Sequence, residues 1–142
     1  IAKAVAGVVL ETRDGFILFG RSTAFDGKLI IPGGGVKKGE TDKQAGIREM
    51  KEETQLDLSS YDWKLIADHR TGETKKIVDG EWARLKLRFI DFHVIMQDKN
   101  KNDIVIVAED DFKEPTWVHK TEINPSKISP PTVWLLQNIG YL

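Results

Sequence analysis

A glycine cluster leading into a helix with three carboxylates on one face constrains this chain more than any other feature. Residues 31–56 read IPGGGVKKGETDKQAGIREMKEETQL. A short apolar strand, Leu29 to Ile31, runs into Gly33-Gly34-Gly35. Thr41 followed by Gln44 is a capping-box pattern, so the spacing predicts a helix starting at Asp42. At the helical period Glu49, Glu52 and Glu53 stand at i, i+3 and i+4, on one face. Ile47, Met50 and Thr54 lie on a different, roughly opposite face. Packing those residues inward is expected to leave the carboxylates pointing outward, toward the end of the glycine loop.

Like charges at such spacings repel by a few tenths of a kcal/mol on a surface helix. A hard cation reverses the sign, because Mg²⁺ takes oxygen ligands, keeps several waters and pairs with substrate phosphates. An ordinary solvated acidic face is the alternative, but it needs no glycines at its entrance. Gly33, Gly34 and Gly35 permit close approach of backbone to a neighbour or ligand. Two glycine motifs are excluded. Gly34 and Gly39 have the outer spacing of a P-loop, yet Glu40-Thr41 stands where Lys-Ser/Thr is required. Gly33 and Gly35 begin a dinucleotide fingerprint, yet Lys38 occupies the place of its third glycine.

The pattern that fits is the Nudix box, Gly-x5-Glu-x7-Arg-Glu-U-x-Glu-Glu-x-Gly-U with U aliphatic. Here it is met by Gly34, Glu40, Arg48, Glu49, Met50, Glu52, Glu53 and Leu56, with Gln55 in place of the last glycine. The chain resembles a Nudix (MutT-type) hydrolase. The departure falls at the helix C-terminus, where glycine supplies a left-handed cap. It bears on how the helix ends, not on the chemistry.

The 142 residues, 40% hydrophobic, suffice for one globular domain spanning 1–142. A formal charge of -1 argues against a broad basic surface, so no nucleic-acid partner is expected. The absence of cysteine excludes disulfides, thiolate metal sites and a cysteine nucleophile, and suits a cytoplasmic location. No apolar run is long enough for a membrane span and no signal-peptide pattern precedes the first strand. The chain opens on Ile1 and not Met, as a trimmed N-terminus would.

In chain order, Ala4–Leu10 and Phe16–Phe19 form a hairpin across Arg13-Asp14-Gly15. Trp63–His69 reads as a strand and 75–80 as a turn-forming linker. Trp82–Met96 is the longest strand, bent or bulged, with Arg84, Lys86 and Arg88 on one face and Leu85, Leu87 and Phe89 on the other. Ile104–Val107 reads as a further strand, and Thr116–Val118 as another behind an acidic loop. Ser129 caps a last helix with Pro130 at its first position and Leu135, Leu136 and Ile139 as its buried stripe. His69 is read as structural or solvated. Mixed element order gives an α+β class. The resemblance implies an α/β/α sandwich, a Nudix-type mixed sheet flanked by helices.

The resemblance further implies Mg-dependent hydrolysis, with Mn²⁺ as a substitute, of a nucleoside diphosphate linked to another group. Glu52 and Glu53 would be the principal metal ligands, with Glu49 as third ligand or proton acceptor and the Gly33 carbonyl as a backbone ligand. Arg48 would orient the glutamates, with Glu40 in support. The catalytic candidates are Glu53, Glu49, Arg48 and Glu114, with Glu109 second to Glu114 as the late carboxylate. Glu53 and Glu114 stay open as the base. Arg21 and Gly34, with Arg84, Lys86 and Arg88 as a cationic wall, are candidates for substrate phosphates. A solvated strand face is the alternative for the wall.

The expected partner is a small nucleotide, with the oligomeric state open. The proline of ADP-ribose enzymes is replaced by Gly72, and the tyrosine of dinucleoside polyphosphate enzymes is missing from that region. By elimination a (d)NTP, intact or modified, leads. Phe25, Trp82 and Trp117 are candidates to stack on a base. The competing class is a non-catalytic nucleotide-binding or sensor module of the same fold. Retention of all four box glutamates argues against it.

Overall fold

The computed structural model describes residues 2–22, 24–107 and 112–142. Among these, seven strands form one mixed sheet with two α-helices packed on it. β1 is Ala2–Thr12, β2 Phe16–Arg21, β3 Leu29–Ile30, β4 Gly33–Gly35, β5 Lys64–Val78, β6 Glu81–Met96 and β7 Lys113–His119. The helices are α1, Asp42–Thr54, and α2, Pro130–Asn138. The sheet runs β3-β2-β1-β6-β5, with β4 on β1 and β7 on β2. β1 and β6 are parallel, from Ala2 opposite Lys86 to Thr12 opposite Met96, and the other strand pairings among the described residues are antiparallel. No helix of the described residues is long and apolar enough to cross a membrane.

The far edge of β1 is shared between two partners. Its C-terminal end pairs with β2 at Glu11, whereas Val5, Ala6 and Gly7 pair with the three glycines of β4. The glycine loop is therefore a strand registered on the middle of the sheet. Alternation along β1 and β6 splits the core in two. Val8, Leu10, Ile90, Phe92 and Val94 pack with Met50 on the α1 side, and Val9, Ile17 and Phe19 with Leu136 on the α2 side. Each such side chain, fully buried, contributes about 1.5–3 kcal/mol. Behind α2, Tyr141, His93 and Lys120 all bond the buried carboxylate of Glu11, fixing the C-terminus to the sheet.

Several sequence expectations shift here. Lys75 lies inside β5 and not in a linker: β5 and β6 continue as a two-stranded ribbon past the sheet, pairing Lys75 with Arg84 and Ile77 with Trp82 before a turn at 79–80. The bulges fall in β5, around Ala67, rather than in β6. Ile104–Val107 is not a strand. Its alternation is real, with Ile104 and Ile106 against the α1-side core and Val105 and Val107 exposed, but no ladder partner lies beside it among the described residues. Ser129 caps α2 by position only, its hydroxyl bonding that of Thr132.

Candidate active site

Local rules place the box. The capping box forms as expected: Thr41 Oγ1 accepts from the Gln44 N–H and Gln44 Oε1 from the Thr41 N–H. Met50 and Thr54 are fully buried, fixing the rotation of α1. The helix stops at Gln55, which adopts the left-handed conformation at φ 65° and donates its N–H to Lys51 O. A residue with a side chain thus performs the glycine's task.

Arg48 is the hub. Its Nε and Nη2 grip Glu40 at 2.7 and 3.0 Å, Nη2 also donates to Gly35 O at 2.7 Å, and Nη1 donates to Glu49 at 2.9 Å and Glu52 at 3.2 Å. One guanidinium therefore ties three box carboxylates to the glycine strand by charge-assisted bonds. The Arg48 fork, and then the Lys37 N–H, hold the Glu40 carboxyl down to about 2. The bonds to Glu40, opposed by burial and helped by Glu49, raise Arg48 above its ordinary value.

Glu53 reaches the glycine loop, as expected of this helix face, but is buried and not outward-pointing. It is 7% exposed, and its Oε1 accepts from the Gly33 N–H at 2.9 Å. The glycines make this closeness possible. A Cβ on Gly34 would run into the Glu49 carboxylate, and one on Gly33 into the Ala6 carbonyl. Among the described residues no three His, Cys, Asp or Glu side chains converge as they stand on one metal position. The donor set is nevertheless the one a hard divalent cation takes. Glu49 and Glu52 are held on Arg48, with Glu53 on the strand below.

On the α2 side a cleft of about 470 Å³ opens against the same loop. Val5, Gly7, Leu87 and Phe89 floor it, Phe25, Pro131 and Leu135 wall it, and Ile31, Pro32 and Gly33 form its rim. It is largely apolar, with one buried carboxylate, Asp91, on its floor. Burial pushes the Asp91 carboxyl up to about 6, the nearby Arg70 charge pulling partly back. Sequence reasoning passed Asp91 over. The only signal was a lone acid within the apolar run Phe89-Ile90-Asp91-Phe92.

The other candidates separate. Arg21 and Glu114 face each other at 2.5 Å, both largely exposed, and Arg21 also donates to Gly27 O, bracing the loop that carries Phe25. Their contacts are with each other and that loop, not with the box. Glu109 lies outside the described residues. Arg84, Lys86 and Arg88 are exposed, on the face of β6 opposite the cleft-lining Leu87 and Phe89. Of the three, Arg88 reaches the box helix, pairing with Asp42 at 3.6 Å. Phe25 lines the cleft, Trp82 is 71% exposed on the ribbon, and Trp117 packs on the α1-side core. His69 lies edge-on to Trp134.

The family model described as the NUDIX domain matches residues 2–136. Among solved structures, a MutT NUDIX hydrolase from Burkholderia pseudomallei is similar at 21% identity and TM-score 0.64, covering 98% of each chain. The dihydroneopterin triphosphate pyrophosphohydrolase of E. coli is similar at 19% identity and TM-score 0.62, over 94% of this chain and 92% of that one. The Ap4A hydrolase of C. elegans is similar at 18% identity and TM-score 0.56, over 98% and 96%. At such identities these likenesses carry the fold. No curated protein sequence matches the chain.

Proposed function

The chain belongs to the Nudix family of pyrophosphohydrolases, and on that premise we propose that it cleaves a phosphoanhydride bond in a nucleoside triphosphate, intact or modified. The reading takes residues 1–142 as a single domain. The observation that carries it is Gly33, which rims the cleft and whose N–H is held by Glu53. A base seated in the apolar cleft would send its phosphates across the glycine strand onto the box carboxylates. Pockets of this size and character suit a flat heterocycle.

Glu49, Glu52, Glu53 and the Gly33 carbonyl would hold Mg²⁺, with Mn²⁺ as substitute. When bound, such an ion neutralises phosphate charge and lowers the pKa of an attacking water. The protein's own part is positioning. Arg48 holds Glu49 and Glu52 in place through bonds to both and fixes them to Gly35. Gly34 leaves room for the Glu49 carboxylate. Of the carboxylates considered for water's proton, Glu53 touches the glycine strand, whereas Glu114 is engaged with Arg21, and we assign the proton acceptor to Glu53. Of the cationic wall, Arg88 is the member that contacts the box helix, its charge paired with Asp42. Arg21 supports the cleft loop.

The test is release of phosphate, pyrophosphate or nucleoside monophosphate across a nucleotide panel, with Mg²⁺ and with Mn²⁺. Turnover should depend on the ion, and the ion should raise the melting temperature. Glu53→Gln should cut kcat about a hundred- to ten-thousandfold, while Lys51→Gln, on the exposed side of α1, should change it little. Equal small losses from both variants, with a true substrate in hand, would remove the assignment.

A further inference from the structure

The floor of the cleft carries a carboxylate that the hydrolytic machinery does not use. Asp91 is 6% exposed, accepts no hydrogen bond and forms no ion pair among the described residues. Its oxygens are not sealed in, since no enclosed side-chain oxygen or nitrogen is left unpaired there, so they open onto the cleft. Its room is purpose-made. Gly7 stands opposite Asp91 in the β1–β6 register, and a Cβ at position 7 would collide with Asp91 Oδ1 while approaching Ile31 Cδ1 at 3.0 Å.

The polar neighbours have other partners or the wrong chemistry. Arg70 acts on Asp91 through its charge but makes no hydrogen bond to it; it donates to Pro131 O at 3.2 Å, and its guanidinium lies 4.4 Å over the Trp134 ring. Ser129 and Thr132 bond each other at 2.8 Å. Glu73, also on the cleft wall, can only accept when ionised. Burying an unpaired carboxylate is unfavourable, and burial has pushed this one up toward neutrality. A ligand that brings donors removes that penalty.

We propose that Asp91 reads the base of the substrate, accepting two hydrogen bonds from a ring N–H and the adjacent exocyclic amine of a 2-amino-4-oxopyrimidine ring. This rests on the reading that the cleft holds the base. An ionised carboxylate has two acceptors side by side and no donor. Adenine and cytosine each set a ring acceptor beside their amine, which faces a carboxylate with repulsion. Uracil and thymine flank one N–H with two carbonyl acceptors. Guanine presents two adjacent donors, and so does a pterin, which shares that ring. Phe25 and Phe89, both lining the cleft, supply apolar contact for the rest of the heterocycle.

Binding of GMP, IMP and XMP, measured by calorimetry without divalent metal at neutral pH, tests the assignment independently of hydrolysis. IMP lacks the amine, and XMP replaces it with a carbonyl. The unaltered protein should bind GMP about ten- to hundredfold tighter than either, the usual worth of a bidentate contact. Asp91→Asn, which offers one donor and one acceptor, should lose that preference and favour XMP. Equal affinities for GMP and IMP in the unaltered protein, no binding of any of them, or an unchanged GMP preference in the variant would each overturn the proposal. Comparing kcat/KM for GTP with that for dihydroneopterin triphosphate then separates the two sources of the ring. Hydrolysis of many triphosphates without regard to the 2-amino group would defeat the role of Asp91 and leave the hydrolase. A GMP preference with no hydrolysis of any nucleotide would defeat the hydrolase and leave the role of Asp91.

Discussion

Replacing Asp91 by asparagine probes what a specificity carboxylate does to the fold that houses it. In the unfolded chain this carboxyl ionises near 3.8, and in the folded protein burial moves it to about 6. Between those values the folded state keeps a proton that the unfolded state has released. Stability contributed at this position therefore falls as pH rises through the window and is flat above it. A shift of about two units at 1.36 kcal/mol per unit amounts to about 3 kcal/mol. Asparagine has its own contribution, but one independent of pH. The measurement is urea denaturation of both proteins at a series of pH values from about 3 to 7.5. The difference in unfolding free energy, variant minus wild type, should climb by about 3 kcal/mol across that range. Most of the climb belongs between pH 4 and 6. A difference that stays constant with pH would refute the reasoning, because it would mean that Asp91 is solvated or paired in solution.

Three further outcomes are expected. Gln55→Gly should stabilise the protein by up to about 1 kcal/mol, since glycine adopts the left-handed conformation found there without a Cβ penalty; lost stability in thermal or urea unfolding would refute the strain argument. Gly34→Ala should lower kcat much more than stability, because the new methyl displaces the Glu49 carboxylate from its place on Arg48 rather than displacing backbone; unaltered turnover would separate Glu49 from the chemistry. At Glu11, burial works against ionisation, but bonds from His93, Tyr141 and Lys120 outweigh it and hold the carboxyl below its ordinary value of 4.5. That stabilisation is complete above pH 4.5 and is lost as pH falls further, so Glu11→Gln should show a shallower acid decline than wild type, and parallel acid curves would count against the network.

The box was legible because its chemistry needs fixed residue types at fixed spacing along one local element. Thr41, Gln44, Asp42 and the orientation of Met50 all follow from rules reaching four residues or fewer. Even the awkward Gln55 announced itself, because the position calls for a residue without a Cβ. Asp91 and Gly7 were not legible, since their meaning depends on a parallel register between strands far apart in sequence. Glu53 was expected to point outward toward the glycine loop, and helical periodicity, which tells only which face a residue is on, could not show that β4 would lie close enough against that face to bury it. Ile104–Val107 was misread for the complementary reason: alternation signals two environments, and a strand also needs a free edge to join. The charged segment around Lys75 hid a ribbon because both faces are wet there, leaving no periodic signal.

The parallel pairing of β1 with β6 sets a timetable for the growing chain. Residues 2–12 leave the ribosome well before their parallel partner strand, which is completed only at Met96. The segment from the first hairpin through α1 can form early, from local contacts, with β4 laid on β1 and Arg48 gathering its carboxylates. The floor of the cleft cannot, because Gly7 faces Asp91 only after that long loop has closed. Loop closure of this kind slows folding more than it weakens the final state. The first strand therefore waits with one edge bare, and bare strand edges are where chains join the wrong neighbour. Chains halted shortly before Lys86 should be far more prone to aggregate than chains that extend past Met96.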